Sequence, residues 1–296
     1  MINISYRESH EACRKISLAS SKLFYFGCLV LPERKREAVF ALYSFCHFVD
    51  DGMNHAKSAG EKNAHIKNCQ NILDRVYSHQ RNSFSLPFEI SFEQTISRYE
   101  IPMKLADDYI TGMILNSHFK QPENKHALLE YCYHLTGCVG IMMAHILGEG
   151  EKLDQKAMAL GNAIQLTKLA RDLKQNSEFG KICLPISWLE ETNLKETDII
   201  NLSKTENADQ DILGKMRLLQ LRIVSIAEEN FKLGLEGLPN FSNDGSRFSV
   251  SFLVSSYMGI LKKIKRNASP SPLDSQGLSF LEKLLLIPKA YVSEFK

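Results

Sequence analysis

Residues 41–54, Ala-Leu-Tyr-Ser-Phe-Cys-His-Phe-Val-Asp-Asp-Gly-Met-Asn, form an apolar helical pattern crossed by one polar stripe. On an α-helix, positions i, i+3, i+4 and i+7 share one face. The residues at those positions are His47, Asp50, Asp51 and Asn54. Adjacent carboxylates on an apolar helix repel each other unless a cation or hydrogen bonds compensate them. Taken alone, the aspartate pair is more typical of an exposed helix end than of a metal site.

A second polar stripe occurs in residues 165–176, Gln-Leu-Thr-Lys-Leu-Ala-Arg-Asp-Leu-Lys-Gln-Asn. Helical spacing places four of its polar residues on one face, with Arg171 beside them. Those four are Gln165, Lys168, Asp172 and Asn176. A solvated helix face is the simpler interpretation of this segment by itself. Two such faces on apolar helices more than a hundred residues apart favour a cavity lined by both.

The two stripes share a chemistry that suits the departure of a diphosphate. Magnesium binds hard oxygen ligands and bridges a few carboxylates to substrate phosphates. Asp50, Asp51 and Asp172 would therefore hold Mg²⁺, and the basic residues of the second stripe would add positive charge. Aromatic side chains would shelter a carbocation and an apolar tail, although each is also a normal core residue. The aromatic candidates are Phe24, Tyr25, Tyr43, Tyr131 and Tyr133.

Helical periodicity extends over nearly the whole chain. Glycine and proline are sparse, and apolar residues recur at spacings of three and four rather than two. No linker rich in proline, glycine or serine divides the sequence, so one all-α domain covering residues 1–296 is expected. About ten helices are predicted, at roughly 6–20, 33–54, 60–79, 92–99, 102–117, 124–147, 153–176, just after Pro185, 209–236 and 247–266.

The longest apolar stretches, residues 24–32 and 138–148, fall short of the roughly 18 uninterrupted apolar residues that span a bilayer. They are predicted to be buried helix segments or helix ends. The first 17 residues carry charges where a signal peptide needs an apolar run, so a cytoplasmic location is expected. Residues 268–277 are predicted to be a loop. Residues 278–292 are apolar enough to pack on the body of the protein or to touch a membrane surface, and packing on the body is favoured.

The net charge of the chain is too small to attract charged partners to the whole surface. The 36 basic and 34 acidic side chains nearly cancel, which argues against a nucleic-acid partner. Any anion site must therefore be local. The seven cysteines show neither paired spacing nor neighbouring histidines at zinc-ligand spacing. They are interpreted as small core residues in a reducing compartment.

Three blocks of sequence resemble the squalene/phytoene synthase family. Residues 20–51, SSKLFYFGCLVLPERKREAVFALYSFCHFVDD, are similar to a family segment in which a Ser-Lys-(Ser/Thr)-Phe-Tyr element precedes LLPxxxRxAxxALYAFCRxxDDxxD. Residues 130–143, EYCYHLTGCVGIMM, resemble YCYxVAGxVGxM, and residues 165–185, QLTKLARDLKQNSEFGKICLP, resemble QLxNIxRDxxEDxxxGRxYLP. The blocks occur in the family's order, and the resemblance covers roughly residues 8–265.

The resemblance implies an all-α isoprenoid synthase fold with helices around a central cavity. It also implies a transferase that joins two prenyl diphosphates, farnesyl or geranylgeranyl, head to head through a cyclopropyl intermediate. Residues implied to bind metal are Asp50, Asp51, Asn54, Asp172 and Asn176. Residues implied to bind substrate are Ser21, Lys22, Phe24, His47, Gln165, Lys168 and Arg171, and the catalytic candidates are Tyr43, Tyr131 and Arg171.

Several positions depart from the family pattern. Asn54 and Asn176 stand where each motif has its last aspartate, and Asn116 stands where an acid is expected. His47 replaces an arginine and Lys168 replaces an asparagine. An amide oxygen can bind Mg²⁺ but contributes no charge, whereas a lysine can contact phosphate directly. These changes predict fewer bound Mg²⁺ ions than in relatives.

Three functions follow from this pattern. The leading one is head-to-head condensation to squalene, dehydrosqualene, phytoene or the cyclopropyl intermediate. The second is ionisation of a single diphosphate, followed by cyclisation or transfer to another acceptor. The third is a non-catalytic binding or assembly role. The family also implies peripheral membrane contact. Some relatives use NADPH, and this sequence contains no glycine-rich dinucleotide-binding motif to support its use.

Overall fold

The computed structural model describes residues 4–204 and 209–266, which form fourteen α-helices. No β-strand occurs within those two ranges, and a single bridge joins Gly148 to Phe241. The predicted all-α class is therefore confirmed. The helices are α1 (Tyr6–Ser20), α2 (Lys22–Cys28), α3 (Glu33–His55), α4 (Ala59–Tyr77), α5 (Glu89–Arg98), α6 (Met103–Ser117), α7 (Lys125–Cys132), α8 (Cys138–Leu147), α9 (Asp154–Arg171), α10 (Leu173–Glu178), α11 (Ile186–Glu191), α12 (Glu196–Lys204), α13 (Gln210–Leu235) and α14 (Ser246–Arg266).

Local sequence signals explain where several helices begin. Ser5 caps α1, because its side chain accepts a hydrogen bond from the Glu8 amide while the Glu8 carboxylate accepts one from the Ser5 amide. Asn124 caps α7, because its side-chain oxygen accepts hydrogen bonds from the amides of His126 and Ala127. Pro32 precedes α3 and fixes the start predicted from the sequence.

Helix α9 lies at the centre of the molecule and packs against α8, α13 and α14. Glycines permit unusually close helix approach here. A Cβ added to Gly140 of α8 would lie 2.4 Å from the carbonyl oxygen of Ala157, and one added to Gly161 would lie 2.4 Å from that of Thr136. Because backbone atoms cannot rotate away as side chains can, these two positions hold α9 against the helical segment before it.

The predicted helix 124–147 is continuous but irregular. A π-helical segment, Tyr133–Gly137, separates α7 from α8. Such segments are rare and often mark functional sites, because the wider turn redirects neighbouring side chains. The whole stretch Lys125–Leu147 is long and apolar enough to cross a membrane by length and composition, a property it shares with many core helices.

The prediction of one helix over residues 153–176 is wrong at its C-terminal end. Helix α9 ends at Arg171, and α10 begins at Leu173. Between them, Asp172 has φ −105° and ψ 24°, outside regular helical geometry. Side chains at i and i+1 do not face each other on a regular helix. The paired contact between Arg171 and Asp172 described below accompanies this break.

The stretch 24–32 is only partly buried, contrary to the prediction. Gly27 and Cys28 are buried beneath α14, whereas Phe26, Leu29 and Val30 are 44–48% exposed. Helix α2 ends at Cys28, so Phe26 lies on its open side, and Leu29 and Val30 lie in the turn that follows the helix. The predicted loop 268–277 and the predicted packing of residues 278–292 lie outside the described residues.

The seven cysteines are all buried and none forms a disulfide, which confirms their interpretation as core residues. Burial raises the pKa of the Cys13 thiol to about 11 and that of Cys183 to about 12. Both thiols therefore stay protonated near neutral pH.

Candidate functional site

An apolar cavity of about 370 Å³ lies beside α9, enclosed by residues of α2, α3, α8, α9 and α14. Its lining is mostly aliphatic and aromatic. Among the described residues that line it, Lys168 carries the charge. The remaining polar groups in the lining are hydroxyls. Those hydroxyls belong to Ser21, Tyr43, Thr136, Ser249 and Tyr257. A cavity of this composition suits a long hydrocarbon with one polar end.

Helices α2 and α3 place an aromatic pair in the cavity wall. The rings of Phe24 and Tyr43 stack with centroids 4.4 Å apart, and the centroids of the Tyr43 and His47 rings lie 6.3 Å apart. Ser21 caps α2 by accepting a hydrogen bond from the Phe24 amide. Burial raises the pKa of Tyr43, with a smaller contribution from Asp50, so the phenol keeps its proton.

The first aspartate motif lies near the solvent-facing end of α3. Asp50 accepts a hydrogen bond of 3.1 Å from the Asn54 amide. Asp51 is about half exposed, and its carboxylate lies 3.2 Å from Nδ1 of His55. Neither aspartate is part of the cavity lining. Both carboxylates nevertheless keep oxygen lone pairs that no described donor fully occupies.

The second motif is organised around a bidentate ion pair. Arg171 donates from Nε and Nη2 to the two oxygens of Asp172 at 2.7 and 2.6 Å, and this contact raises the pKa of Arg171. The Asn176 amide nitrogen donates to the carbonyl oxygen of Asp172, which keeps Asn176 close to the break after α9. Of this motif, Lys168 reaches the cavity lining.

The second motif contacts the cavity at a further point. The Thr136 hydroxyl, which lines the cavity, donates to Oε1 of Gln165 at 2.8 Å. Tyr257 of α14 also lines the cavity. The cavity is therefore bordered by Lys168 and Gln165 of the second motif and by Tyr43, which precedes the first motif on α3.

Tyr131 lies in a separate polar cluster. Its hydroxyl donates to Oδ1 of Asn116 at 2.9 Å, and its ring packs edge-on against Phe119. Lys181 donates to the backbone oxygen and to Oδ1 of Asn116, both at 2.8 Å. Burial raises the pKa of Tyr131 and lowers that of Lys181. Tyr131 is not part of the cavity lining.

The acidic residues of the two motifs differ in how well they could bind a cation. Within residues 4–204 and 209–266, no three side chains of histidine, cysteine, aspartate or glutamate converge closely enough to hold a metal ion together. Both carboxylate oxygens of Asp172 are already engaged by Arg171. Asp50 and Asp51 are thus better suited to accept an ion than the second motif.

The structure brings together some predicted site residues and separates others. Ser21, Phe24, Tyr43 and Lys168 line the cavity, and Gln165 contacts its wall. Lys22 is exposed and lies outside the lining. Two further aromatic candidates have other partners. Tyr25 accepts a hydrogen bond from Arg14, and Tyr133 donates one to Asp108.

Sequence reasoning missed two groups of residues. Helix α14 contributes a large part of the wall, including Phe252, Leu253 and Tyr257, yet its apolar spacing looks like that of any core helix. Lys181 was also missed as a site residue. Its match to the arginine in the GRxYLP element of the third family block was the available signal.

Comparison with known proteins places these features in context. The family model for squalene/phytoene synthase matches residues 18–277. The chain is 26% identical to a chloroplastic phytoene synthase from Narcissus pseudonarcissus, over 96% of this chain and 66% of that protein. It is also 26% identical to a 15-cis-phytoene synthase from Synechococcus elongatus, over 89% of this chain and 86% of the relative.

Solved structures support the same fold. A dehydrosqualene synthase in complex with a ligand superposes with a TM-score of 0.85 at 23% identity, over 98% of both chains. A squalene synthase from Alicyclobacillus acidocaldarius gives a TM-score of 0.77 at 20% identity, over 90% of this chain and 96% of the other. The predicted all-α isoprenoid synthase fold is therefore confirmed.

Proposed function

The chain belongs to the squalene/phytoene synthase family of prenyl-transferring enzymes, and we propose that it condenses two prenyl diphosphates head to head. The observation that carries this proposal is the apolar cavity whose wall contains Lys168 of the second motif and Tyr43, which precedes the first motif on α3. In the reaction, the C1–O bond of one substrate breaks and the electron pair leaves with diphosphate. The double bond of the second substrate attacks the resulting cation, and loss of one proton closes a cyclopropane ring.

The cavity is suited to the prenyl tail and to the cation. Its apolar walls favour a hydrocarbon chain by the hydrophobic effect. The stacked rings of Phe24 and Tyr43 line the cavity, and aromatic rings would stabilise an allylic cation formed there because their faces attract cations. Because Tyr43 keeps its proton, it presents a neutral ring and hydroxyl rather than a phenolate that would trap the cation.

The diphosphate would be held from two sides. Asp50, Asp51 and Asn54 would bind Mg²⁺, which neutralises charge on the leaving diphosphate when bound. Lys168 would contact phosphate directly, whereas Asp172 is partly neutralised by Arg171. We therefore expect fewer Mg²⁺ ions than the two complete acidic motifs of relatives would hold. Counting Mg²⁺ bound together with a non-hydrolysable prenyl diphosphate tests this, and a full set of three ions would contradict it.

Cavity size favours a second candidate function, ionisation of a single substrate followed by cyclisation or transfer. A cavity of roughly 150 Å³ holds benzene, so a volume of about 370 Å³ has room for one prenyl chain more readily than for two. Under this alternative the cation would be captured within the same chain or by a different acceptor.

Product analysis separates the candidate functions. Purified protein is incubated with farnesyl or geranylgeranyl diphosphate and Mg²⁺, with and without NADPH, and the extract is analysed by mass spectrometry. A C30 or C40 hydrocarbon or its cyclopropyl precursor supports condensation. A C15 or C20 product supports the single-substrate reaction. No product with any chain length or divalent metal contradicts both and leaves a non-catalytic role.

We also propose that Phe26 of α2 and the turn after this helix contact lipid. Phe26 and the turn residues Leu29 and Val30 are exposed, while other residues of α2 line the cavity. A lipid-soluble product would then leave beside an apolar surface. Replacement of all three residues by serine should reduce co-sedimentation with phospholipid vesicles, and unchanged co-sedimentation would contradict this contact.

A further inference from the structure

Lys181 is held in a defined place at the end of the second motif. Gly180 has φ +71°, a conformation that glycine adopts readily, and it turns the chain back toward α10. The Lys181 amide nitrogen then donates to the carbonyl oxygen of Asn176 at 2.8 Å. Its side chain extends to the end of α6, where Nζ contacts both oxygens of Asn116.

The charge of this lysine is not neutralised within the described part of the chain. No aspartate or glutamate oxygen of residues 4–204 or 209–266 forms an ion pair with Lys181. Asn116 supplies two acceptor oxygens but no charge, and one of them also receives the Tyr131 hydroxyl. A half-buried unpaired cation is costly unless an anion accompanies it.

An anion has a donor available at this position. An ammonium group has three N–H donors, and Asn116 receives two of them. The fixed contacts hold the nitrogen in one place, so little side-chain entropy remains to be lost on binding. In the family pattern an acid stands at position 116, and such an acid would pair with the lysine. The asparagine therefore leaves a positive charge that a carboxylate would have neutralised.

We propose that Lys181, positioned by Asn116 and Tyr131, binds a phosphoryl group of the substrate diphosphate directly, without an intervening metal ion. This rests on the proposed function for the identity of the anion. It assigns Asn116 and Tyr131 as positioning residues that act through Lys181. Positions 116 and 176 carry asparagine where the family pattern has acids. At both positions the proposal has the same consequence: Lys181 supplies positive charge that acidic residues would otherwise supply by binding Mg²⁺.

The test is calorimetric titration of the full chain with inorganic diphosphate in the presence of EDTA. Lys181→Gln should weaken binding about ten-fold or more, the loss expected for one charge-assisted hydrogen bond. Asn116→Asp should weaken binding to a similar extent although the lysine remains, because the new carboxylate pairs with it. Lys195→Gln, an exposed lysine outside the site, is the matched control and should bind within two-fold of the unmodified protein.

Diphosphate binding that is unchanged in Lys181→Gln, or unchanged or tighter in Asn116→Asp, overturns the proposal. So does an unmodified protein that does not bind diphosphate without metal. Thermal melts show whether each variant is folded. If Lys181→Gln fails to fold, diphosphate binding by Asn116→Asp alone decides whether the proposal holds. Prenyl product formation is measured separately. If the unmodified protein makes no prenyl product, the proposed function is refuted. If both variants then still lose metal-free diphosphate binding, the anion site is supported independently of that function.

Discussion

Replacement of Lys168 by methionine separates a role in binding from a role in stability. Methionine has a similar length and remains compatible with the helix α9 and its apolar surroundings. The change removes the ammonium from the cavity wall while leaving most of the packing intact. The two effects should have opposite signs, because the charge helps bind an anion but is not paired within the described protein.

The size of the kinetic effect follows from one lost contact. A hydrogen bond to a charged group contributes about 1.5–3 kcal/mol, which corresponds to a decrease in kcat/KM of roughly ten- to hundred-fold. The free energy of unfolding should stay within about 1 kcal/mol of the unmodified value or increase, since a half-buried charge is replaced by an apolar side chain. Steady-state kinetics with farnesyl diphosphate and urea unfolding measure the two quantities.

Lys156→Met on the same helix is the matched control. Lys156 forms an ion pair with Glu236 at the surface, so its removal should change kcat/KM by less than two-fold. If Lys168→Met retains kcat/KM within two-fold, Lys168 does not contact the diphosphate. If kcat/KM falls only in proportion to a loss of folded protein, the lysine has a structural role and the argument for binding is refuted.

Three other predictions concern packing and protonation. Gly140→Ala should lower the free energy of unfolding by about 1–3 kcal/mol in urea titrations, because its Cβ would meet the Ala157 carbonyl oxygen at 2.4 Å, and an unchanged value would contradict the close approach. Ile164→Ala should enlarge the cavity and raise the ratio of kcat/KM for geranylgeranyl over farnesyl diphosphate, at a stability cost of about 2–5 kcal/mol; a constant ratio would show that this wall does not contact the chain. Burial lowers the pKa of Lys181 in the folded protein, so the unfolded chain binds the Lys181 proton more tightly. The contribution of Lys181 to the free energy of unfolding should therefore increase as the pH rises toward 10.5, the ordinary pKa of a lysine. Urea unfolding of the unmodified protein and of Lys181→Gln at about pH 7 and pH 9.5 tests the sign, and a difference that stays constant or reverses would contradict it.

Much of the fold could be predicted because it depends on local patterns. Apolar residues at spacings of three and four, few glycines, and start signals such as Pro32 define most helices before any contact between them is known. The break at Asp172 was missed because the sequence around it continues a good helical pattern. The exposure of Phe26 was missed because hydrophobicity alone does not show which side of a short helix is covered.

The candidate site was only partly visible in the sequence. Tyr43 and Lys168 could be assigned because they occupy conspicuous positions in the two motifs, and both line the cavity. Tyr131 also matched the family pattern, yet the structure places its hydroxyl on Asn116 instead. A motif match identifies a residue's position along the chain, whereas its neighbours depend on helices that are distant in sequence.

The sequence by itself determined the helical class, the family and the replacement of acids by amides and a lysine. Those properties depend on residue identity and helical spacing, both of which are local. Only the tertiary structure decided that Arg171 occupies both oxygens of Asp172, that α14 completes the cavity, and that Lys181 has no acidic partner in the described chain. These are properties of charge pairing and enclosure, and they arise only when α6, α9, α14 and the segment after α10 pack together.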